Sequence, residues 1–145
     1  MNDFEDYKKE SKLIRKQNTV LIEKFEQWMK DKNLSKNTID KHCDNIGFYL
    51  NEYLLYSDAC PASEGSSCIG MFLGDWFLRK AMWANVSSIK SNATSIKKFY
   101  EFMLTINAID TEMFIELKND IKLNMTKWID TITKYDDESV DSDDI

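Results

Sequence analysis

Residues that form tight turns are scarce in this sequence, which has one proline and four glycines in 145 residues. The alternation of apolar and polar residues that marks half-buried strands is also missing. Sandwiches and barrels need many turns and many alternating segments, so both folds are excluded. We predict an all-α fold, and the length suits one ordinary domain.

Long hydrophobic runs and a leader sequence are missing as well. The longest apolar run, Cys68 to Gly74, is about a third of the roughly 20 residues that cross a bilayer. The chain opens with acidic rather than basic residues. The three cysteines, Cys43, Cys60 and Cys68, are odd in number and form no C-x-x-C pair, so free thiols are expected. These features predict a cytoplasmic protein with no membrane partner.

Residues for catalysis and metal binding are few. His42 is the only histidine, so any site that needs two is excluded. A metal site would have to combine His42 with the three cysteines, but adjacent residues on a helix point about 100° apart and Cys43 lies in an apolar stripe. No glycine has the neighbours of a phosphate-binding loop or a nucleophile elbow. We expect no enzymatic activity, no bound metal and no cofactor.

The net charge of −6 is distributed unevenly along the chain. Residues 136–145 hold six of the 25 acidic residues and no basic ones, so residues 1–135 carry 19 acidic and 19 basic groups. A neutral body lacks the broad basic field of many nucleic-acid binders but allows a local patch. We expect the acidic tail to be disordered. Two roles are open for the tail. It either supplies solubilising charge, or it mimics DNA by folding back over the basic helix starts.

Apolar residues recur with the period of an α-helix along most of the chain. The first, weak stripe has no clear boundary with the second, which ends near Lys32 and Asn33. The stripes are Phe4, Tyr7, Ser11 and Ile14; Leu21, Phe25, Trp28 and Met29; Ile39, Cys43, Ile46, Leu50, Tyr53 and Leu54; Ile69, Phe72, Leu73, Trp76 and Phe77; Ile89, Ala93, Ile96, Phe99, Tyr100, Met103 and Leu104; and Phe114, Leu117, Ile121, Met125, Trp128 and Ile132. The expected N-caps are Ser35, Ser87 or Ser88, and Asp110.

The segment from Ser57 to Ser67 contains the only proline and is the expected main loop, which divides the chain into two helical hairpins. The predicted parts are an N-terminal helical extension (1–17), a four-helix bundle (18–106), a C-terminal amphipathic helix (107–135) and the tail (136–145). The expected core is Phe25, Trp28, Ile39, Ile46, Leu50, Trp76, Phe77, Ile89, Ile96, Phe99 and Met103. The last stripe packs either onto its own bundle or onto a second copy, so a homodimer is one expected partnership.

Two segments resemble a known family. Leu34-Ser35-Lys36-Asn37-Thr38-Ile39 and its helix, and Ser87-Ser88-Ile89 leading to Phe99-Tyr100-Glu101-Phe102-Met103, are similar to the N-terminal core-binding domain of tyrosine recombinases and phage integrases. The resemblance covers about residues 18–106 and implies a SAM-like four-helix bundle that clamps one face of DNA. His42 stands where the family usually has tyrosine, and Trp83-Ala84-Asn85 is unusual. The family's reaction needs a nucleophilic tyrosine with several Arg, Lys and His groups, including a His-x-x-Arg motif. This chain has only Arg15, Arg79 and one histidine, and no such motif, so no strand cleavage is expected.

Both matched segments place hydroxyls, amides and a lysine on the first turn of a helix, where free N–H groups and the helix dipole favour an anion. The alternative interpretation is that these serines are ordinary N-caps. The resemblance favours contacts with the phosphates of double-stranded DNA. The predicted DNA-binding residues are Ser35, Lys36, Asn37, Thr38, Lys41, Ser88, Lys90, Ser91, Asn92, Lys97 and Lys98. The sequence thus predicts a stand-alone, non-catalytic DNA-binding module, or alternatively a protein-interaction adaptor or self-associating protein that does not bind DNA.

Overall fold

The computed structural model describes the backbone of residues 3–143 and the side chains of residues 3–134. Helices account for 83% of the described residues, which contain no strand, and this confirms the all-α prediction. The six helices of this range are α1 (Asp3–Asp31), α2 (Lys36–Phe48), α3 (Ile69–Met71), α4 (Phe77–Lys80), α5 (Val86–Thr105) and α6 (Thr111–Asp143). Two π-helical turns, Tyr49–Tyr53 and Phe72–Trp76, continue α2 and join α3 to α4. No helix in the range 3–143 is both long and apolar enough to cross a membrane.

Helix α1 is continuous from Asp3 to Asp31, so the first two apolar stripes belong to one helix and no break separates residues 3–17 from the bundle. It ends with Asn33 in the left-handed conformation (φ 64°), and α5 ends in the same way with Asn107 (φ 59°). After α1, the N–H of Leu34 donates to the Met29 carbonyl at 3.2 Å, which closes the turn. Asparagine thus takes the place that glycine usually has at helix ends.

The N-caps predicted from the sequence are confirmed at two of three helix starts. The Thr38 N–H donates to Ser35 Oγ at 3.2 Å, and the Met113 N–H donates to Asp110 Oδ1 at 2.8 Å. The expectation that a serine caps α5 is wrong. Asn85 is the cap: its Oδ1 accepts from the Ser88 N–H, and Ser88 Oγ accepts from the Asn85 N–H, both at 2.8 Å.

The centre of the fold is the antiparallel pair of α2 and α5. Asn45 of α2 bonds to Ser91 of α5, whereas His42, nearer the start of α2, bonds to Ser95, further along α5. Nine of the predicted core residues are buried, and Trp28 and Trp76 are half-buried at its edge. The buried nine are Phe25, Ile39, Ile46, Leu50, Phe77, Ile89, Ile96, Phe99 and Met103.

The predicted main loop is anchored in the core. Ala62–Ser67 forms a 3₁₀ turn. Tyr49 Oη donates to the Gly65 carbonyl at 2.6 Å, and Tyr100 Oη donates to the Ala62 carbonyl at 2.8 Å. Both tyrosines are fully buried, so their hydroxyls need these carbonyls as partners.

Helix α6 packs its apolar stripe on its own chain, against α5, α3 and the 3₁₀ turn. Leu117, Trp128 and Ile132 are buried, and the Trp128 ring lies above Gly74. The helix continues to Asp143, whereas the sequence predicts its end near Tyr135, because no proline or glycine interrupts this range. The predicted disordered tail, residues 136–145, lies partly outside the described residues, and its described backbone, up to Asp143, is helical.

Candidate nucleic-acid interface

A groove of about 330 Å³ lies between α2 and the start of α5, and we call it the α2–α5 groove. Because the two helices are antiparallel, the middle of α2 lies beside the first turns of α5. The groove is lined by Lys41, Asn45, Trp83, Asn85, Ser87, Ser88, Ser91 and Asn92. Lys41, Ser88, Ser91 and Asn92 were predicted as DNA-binding residues, and no acidic residue lines the groove.

The floor of the groove is a network of polar side chains. Asn45 Nδ2 donates to Ser91 Oγ at 3.0 Å and to Ser95 Oγ at 2.9 Å. Asn92 Nδ2 donates to the Ser88 carbonyl at 2.8 Å. Ser91 is half-buried and Asn92 is buried, so both hold the helices together as well as facing the groove. Ser91 accepts from Asn45, which leaves its own hydroxyl proton to donate to a ligand.

His42 is buried beneath this network, with its Nδ1 2.7 Å from Ser95 Oγ. Burial lowers the pKa of His42 below its usual 6.5, and the positive charges of Lys98 and Lys41 lower it further. The imidazole is therefore neutral at pH 7 and adds no positive charge to the groove. Burial is the main cause of this neutral state, and the two lysines add to it.

The cysteines do not form a reactive or metal-binding group with His42. Burial raises the pKa of the Cys43 thiol to about 11, and burial together with Cys68 raises the pKa of Cys60 to about 11. Both thiols are protonated at neutral pH, when they are poor nucleophiles and poor ligands. In the range that the structure describes, no three His, Cys, Asp or Glu side chains are grouped to hold a metal ion.

The five candidate lysines differ in their ion pairs. Lys36 lies 3.9 Å from Asp40, and Lys98 lies 3.6 Å from Glu101. Lys41, Lys90 and Lys97 are exposed, and no carboxylate of the described part of the chain is within ion-pair distance of them. These three are therefore the candidate lysines most available to an anionic ligand. The other two remain available, because exposed pairs contribute only about 0–1 kcal/mol.

The structure does not bring the two predicted helix starts together. The ten residues from Ser35 to Asn45 span about 15 Å along α2, so the start of α2 and the start of α5 lie at opposite ends of the antiparallel pair. Ser35, Lys36, Asn37 and Thr38 are exposed at the first end. There Ser35 Oγ donates to Thr38 Oγ1 at 2.9 Å and also caps the helix. Lys98 lies 5.9 Å above the Trp28 ring of α1, and its neighbour Lys97 is exposed on α5.

The predicted DNA-binding set omits four groove residues, Asn45, Trp83, Asn85 and Ser87. Trp83 is 57% exposed in the short turn between α4 and α5, and its ring centroid is 5.3 Å from that of Phe48. Trp83 and Lys41 line the same groove, and proteins that bind single-stranded nucleic acid commonly combine aromatic side chains with positive charge. The signal was present in the sequence, where Trp83-Ala84-Asn85 stood out as a departure from the integrase pattern.

Comparison with known proteins gives no match: no family model, no curated protein and no solved structure is significantly similar to this chain. The resemblance to integrase core-binding domains therefore stays a prediction from two short sequence patterns.

Proposed function

We propose that this protein is a stand-alone, non-catalytic DNA-binding module whose helices form a SAM-like bundle of the integrase core-binding type. The observation that carries the proposal is the α2–α5 groove. At the start of a 20-residue helix it combines Lys41 with three serine hydroxyls and contains no carboxylate. Hydroxyls, a lysine and a helix N-terminus are the groups that bind phosphate in DNA complexes.

The second end of the helix pair extends this surface. Lys36 and Asn37 at the start of α2, and Lys90 and Lys97 on α5, are exposed on the same pair of antiparallel helices as the groove. A length of about 15 Å corresponds to about four base pairs of B-DNA at 3.4 Å each. The separation of the two helix starts therefore supports contacts with several phosphates of one strand. The expected readout is of backbone phosphates, with little dependence on base sequence.

Fluorescence anisotropy with a labelled 20-base-pair duplex of arbitrary sequence tests the proposal. The Lys41→Glu/Lys90→Glu variant should bind at least 10-fold more weakly than the natural protein, because two phosphate contacts become repulsive. The Lys118→Glu/Lys122→Glu variant is the matched control, with the same change of charge on α6, which packs against α5 and α3. Its affinity should stay within about threefold. Equal losses in the two variants would show that only net charge matters and that the groove is not the site.

A protein-interaction adaptor is the second candidate function, and large exposed apolar side chains at two places favour it. Met82 is 100% exposed next to Trp83, so two large apolar side chains project from one turn. On α6, Leu123 is 77% exposed, on the side away from the buried stripe. Exposed neighbours of this kind are typical of protein contacts. A failure to bind DNA together with a scattering mass of about twice 17.0 kDa would favour this function.

A further inference from the structure

A second, smaller cavity adjoins the α2–α5 groove, and we call it the aromatic pocket. Its volume is about 210 Å³, and it is lined by Asp44, Asn45, Phe48, Phe77, Trp83 and Asn92. Asn45, Trp83 and Asn92 line both cavities, so the pocket and the groove share one wall. The groove side has Lys41 and serines, whereas the pocket side has aromatic rings and Asp44.

Three aromatic rings form the walls of this pocket. The ring of Trp83 is nearly perpendicular to those of Phe48 (72°, 5.3 Å between centroids) and Phe77 (81°, 6.3 Å). Phe48 and Phe77 are also nearly perpendicular, at 78° and 6.2 Å. In this arrangement a planar ligand can stack on the face of one ring, while the other two rings contact the edges of the ligand. Phe77 is fully buried and Trp83 is exposed, so the pocket has a fixed base and an accessible side.

The polar wall of the pocket has an unused acceptor. Asn92 is only 3% exposed, and its buried Oδ1 has no hydrogen-bond partner. Its Nδ2 donates to the Ser88 carbonyl, and turning the amide over would place two acceptors face to face, so the orientation is fixed. A buried acceptor without a partner is unfavourable, and a ligand with an N–H donor would relieve it. Asp44 supplies a second acceptor in the same pocket.

We infer that the aromatic pocket binds one unpaired nucleobase that carries an exocyclic amino group, while the adjoining phosphate lies in the α2–α5 groove. The inference rests on the proposed DNA-binding function and specifies which form of DNA is preferred. The base stacks on Trp83, as bases do on exposed aromatic side chains in single-strand binders. Its amino group donates to the acceptors of Asn92 and Asp44. A base in an intact duplex is stacked and paired, so it is not available to the pocket.

The test compares labelled 20-base-pair duplexes that differ only at one central position, each bound to the full chain in an anisotropy titration. Four duplexes are compared: at this position the first has a normal base pair, and the others have a bulged adenine, a bulged thymine or a bulged abasic site. The bulged adenine should bind at least 10-fold more tightly than the perfect duplex, and the abasic bulge should bind like the perfect duplex. Thymine has no amino group, so its bulge should bind at least threefold more weakly than adenine.

Two variants connect the preference to the pocket. Trp83→Ala should remove the preference for the bulged adenine, and Trp83→Phe should retain most of it, with circular dichroism verifying that both are folded. Equal affinity for all four duplexes would overturn the pocket assignment and leave the proposed function standing. Equal affinity for thymine and adenine bulges would overturn the role of the amino group. If the natural protein binds none of the duplexes, bulged or fully paired, both proposals are overturned.

Discussion

At the scale of single residues, His42 owes its protonation state to its surroundings. It is buried in the contact of α2 with α5, bonds to Ser95, and lies near Lys41 and Lys98. Burial disfavours the imidazolium by removing water, and the two lysines disfavour it further by placing positive charge nearby. His42 is therefore a structural residue that depends on being neutral.

The lowered pKa of His42 predicts a pH dependence of stability. Below pH 6.5 the unfolded chain takes up a proton at His42 that the folded protein resists, so the free energy of unfolding falls as the pH falls through this range. His42→Gln, which keeps a polar side chain without titrating, should lose less stability between pH 7.5 and 5.5. Urea unfolding at both pH values measures this. A loss of the same size in both proteins would mean that other groups cause the dependence.

Gly65 occupies a place where no side chain fits. A Cβ atom there would lie 2.5 Å from Tyr100 Oη and 2.6 Å from a Leu54 methyl, and both residues are buried. Gly65→Ala should therefore destabilise the protein by about 1–3 kcal/mol through overpacking. Gly70→Ala is the matched control, because nothing lies within 4 Å of a Cβ at Gly70. It should be neutral or slightly stabilising in the same urea titration, and equal effects of the two substitutions would contradict the packing seen at Gly65.

At the scale of elements, the start of α5 supports both the fold and the groove. Asn85 and Ser88 satisfy each other's backbone N–H groups, and both line the groove. The cap therefore determines where the first turn of α5 lies against Lys41. Loss of the Asn85–Ser88 hydrogen bonds would displace the hydroxyls that are proposed to bind phosphate.

The capping box gives a prediction that separates Asn85 from the serine next to it. Asn85→Ala should lower the free energy of unfolding by about 1 kcal/mol, because the Ser88 N–H loses its acceptor. Ser87→Ala should change it by less than about 0.5 kcal/mol, since Ser87 is exposed and lies within the first turn. Thermal unfolding of the two variants measures the difference. A larger effect at Ser87 would restore the serine cap that the sequence predicted.

Helical periodicity predicted most of the elements because the buried faces are regular. Ser35 and Asp110 were identified as caps because each precedes a strong stripe, whereas the cap of α5 was placed too late because serine and asparagine cap helices about equally well. The π-helical turns at Tyr49–Tyr53 and Phe72–Trp76 have no signature in the sequence. They depend on tertiary packing, such as the contact of Tyr49 with Phe72 at 4.8 Å between ring centroids.

The sequence predicted only those residues of the candidate site that belong to a local pattern, because tertiary packing brings the others to the groove. Lys41 and Ser88 were identified from local patterns at helix starts, and both line the groove. Asn45 and Trp83 lie on different elements that meet only because α2 and α5 are antiparallel. A spacing rule within one helix cannot show such a meeting.

At the scale of the whole molecule, the proposed DNA binding depends on a local surface within a chain of net charge −6. Residues 1–135 are neutral overall, so long-range attraction to DNA is weak, and binding has to come from the groove and the helix starts. Lys41, Lys90 and Lys97 are the contacts without ion pairs among the described residues. Few contacts imply modest affinity and a shallow dependence on salt.

The salt dependence of duplex binding tests this account most directly. Three phosphate contacts give a slope of about −2.7 in a plot of log affinity against log salt, so affinity should fall about 40-fold between 50 and 200 mM salt. Lys41→Glu/Lys90→Glu should reduce the size of the slope by about two, and Lys118→Glu/Lys122→Glu should leave it unchanged. Binding whose slope is the same in all three proteins, or no binding at 50 mM salt, would contradict the account.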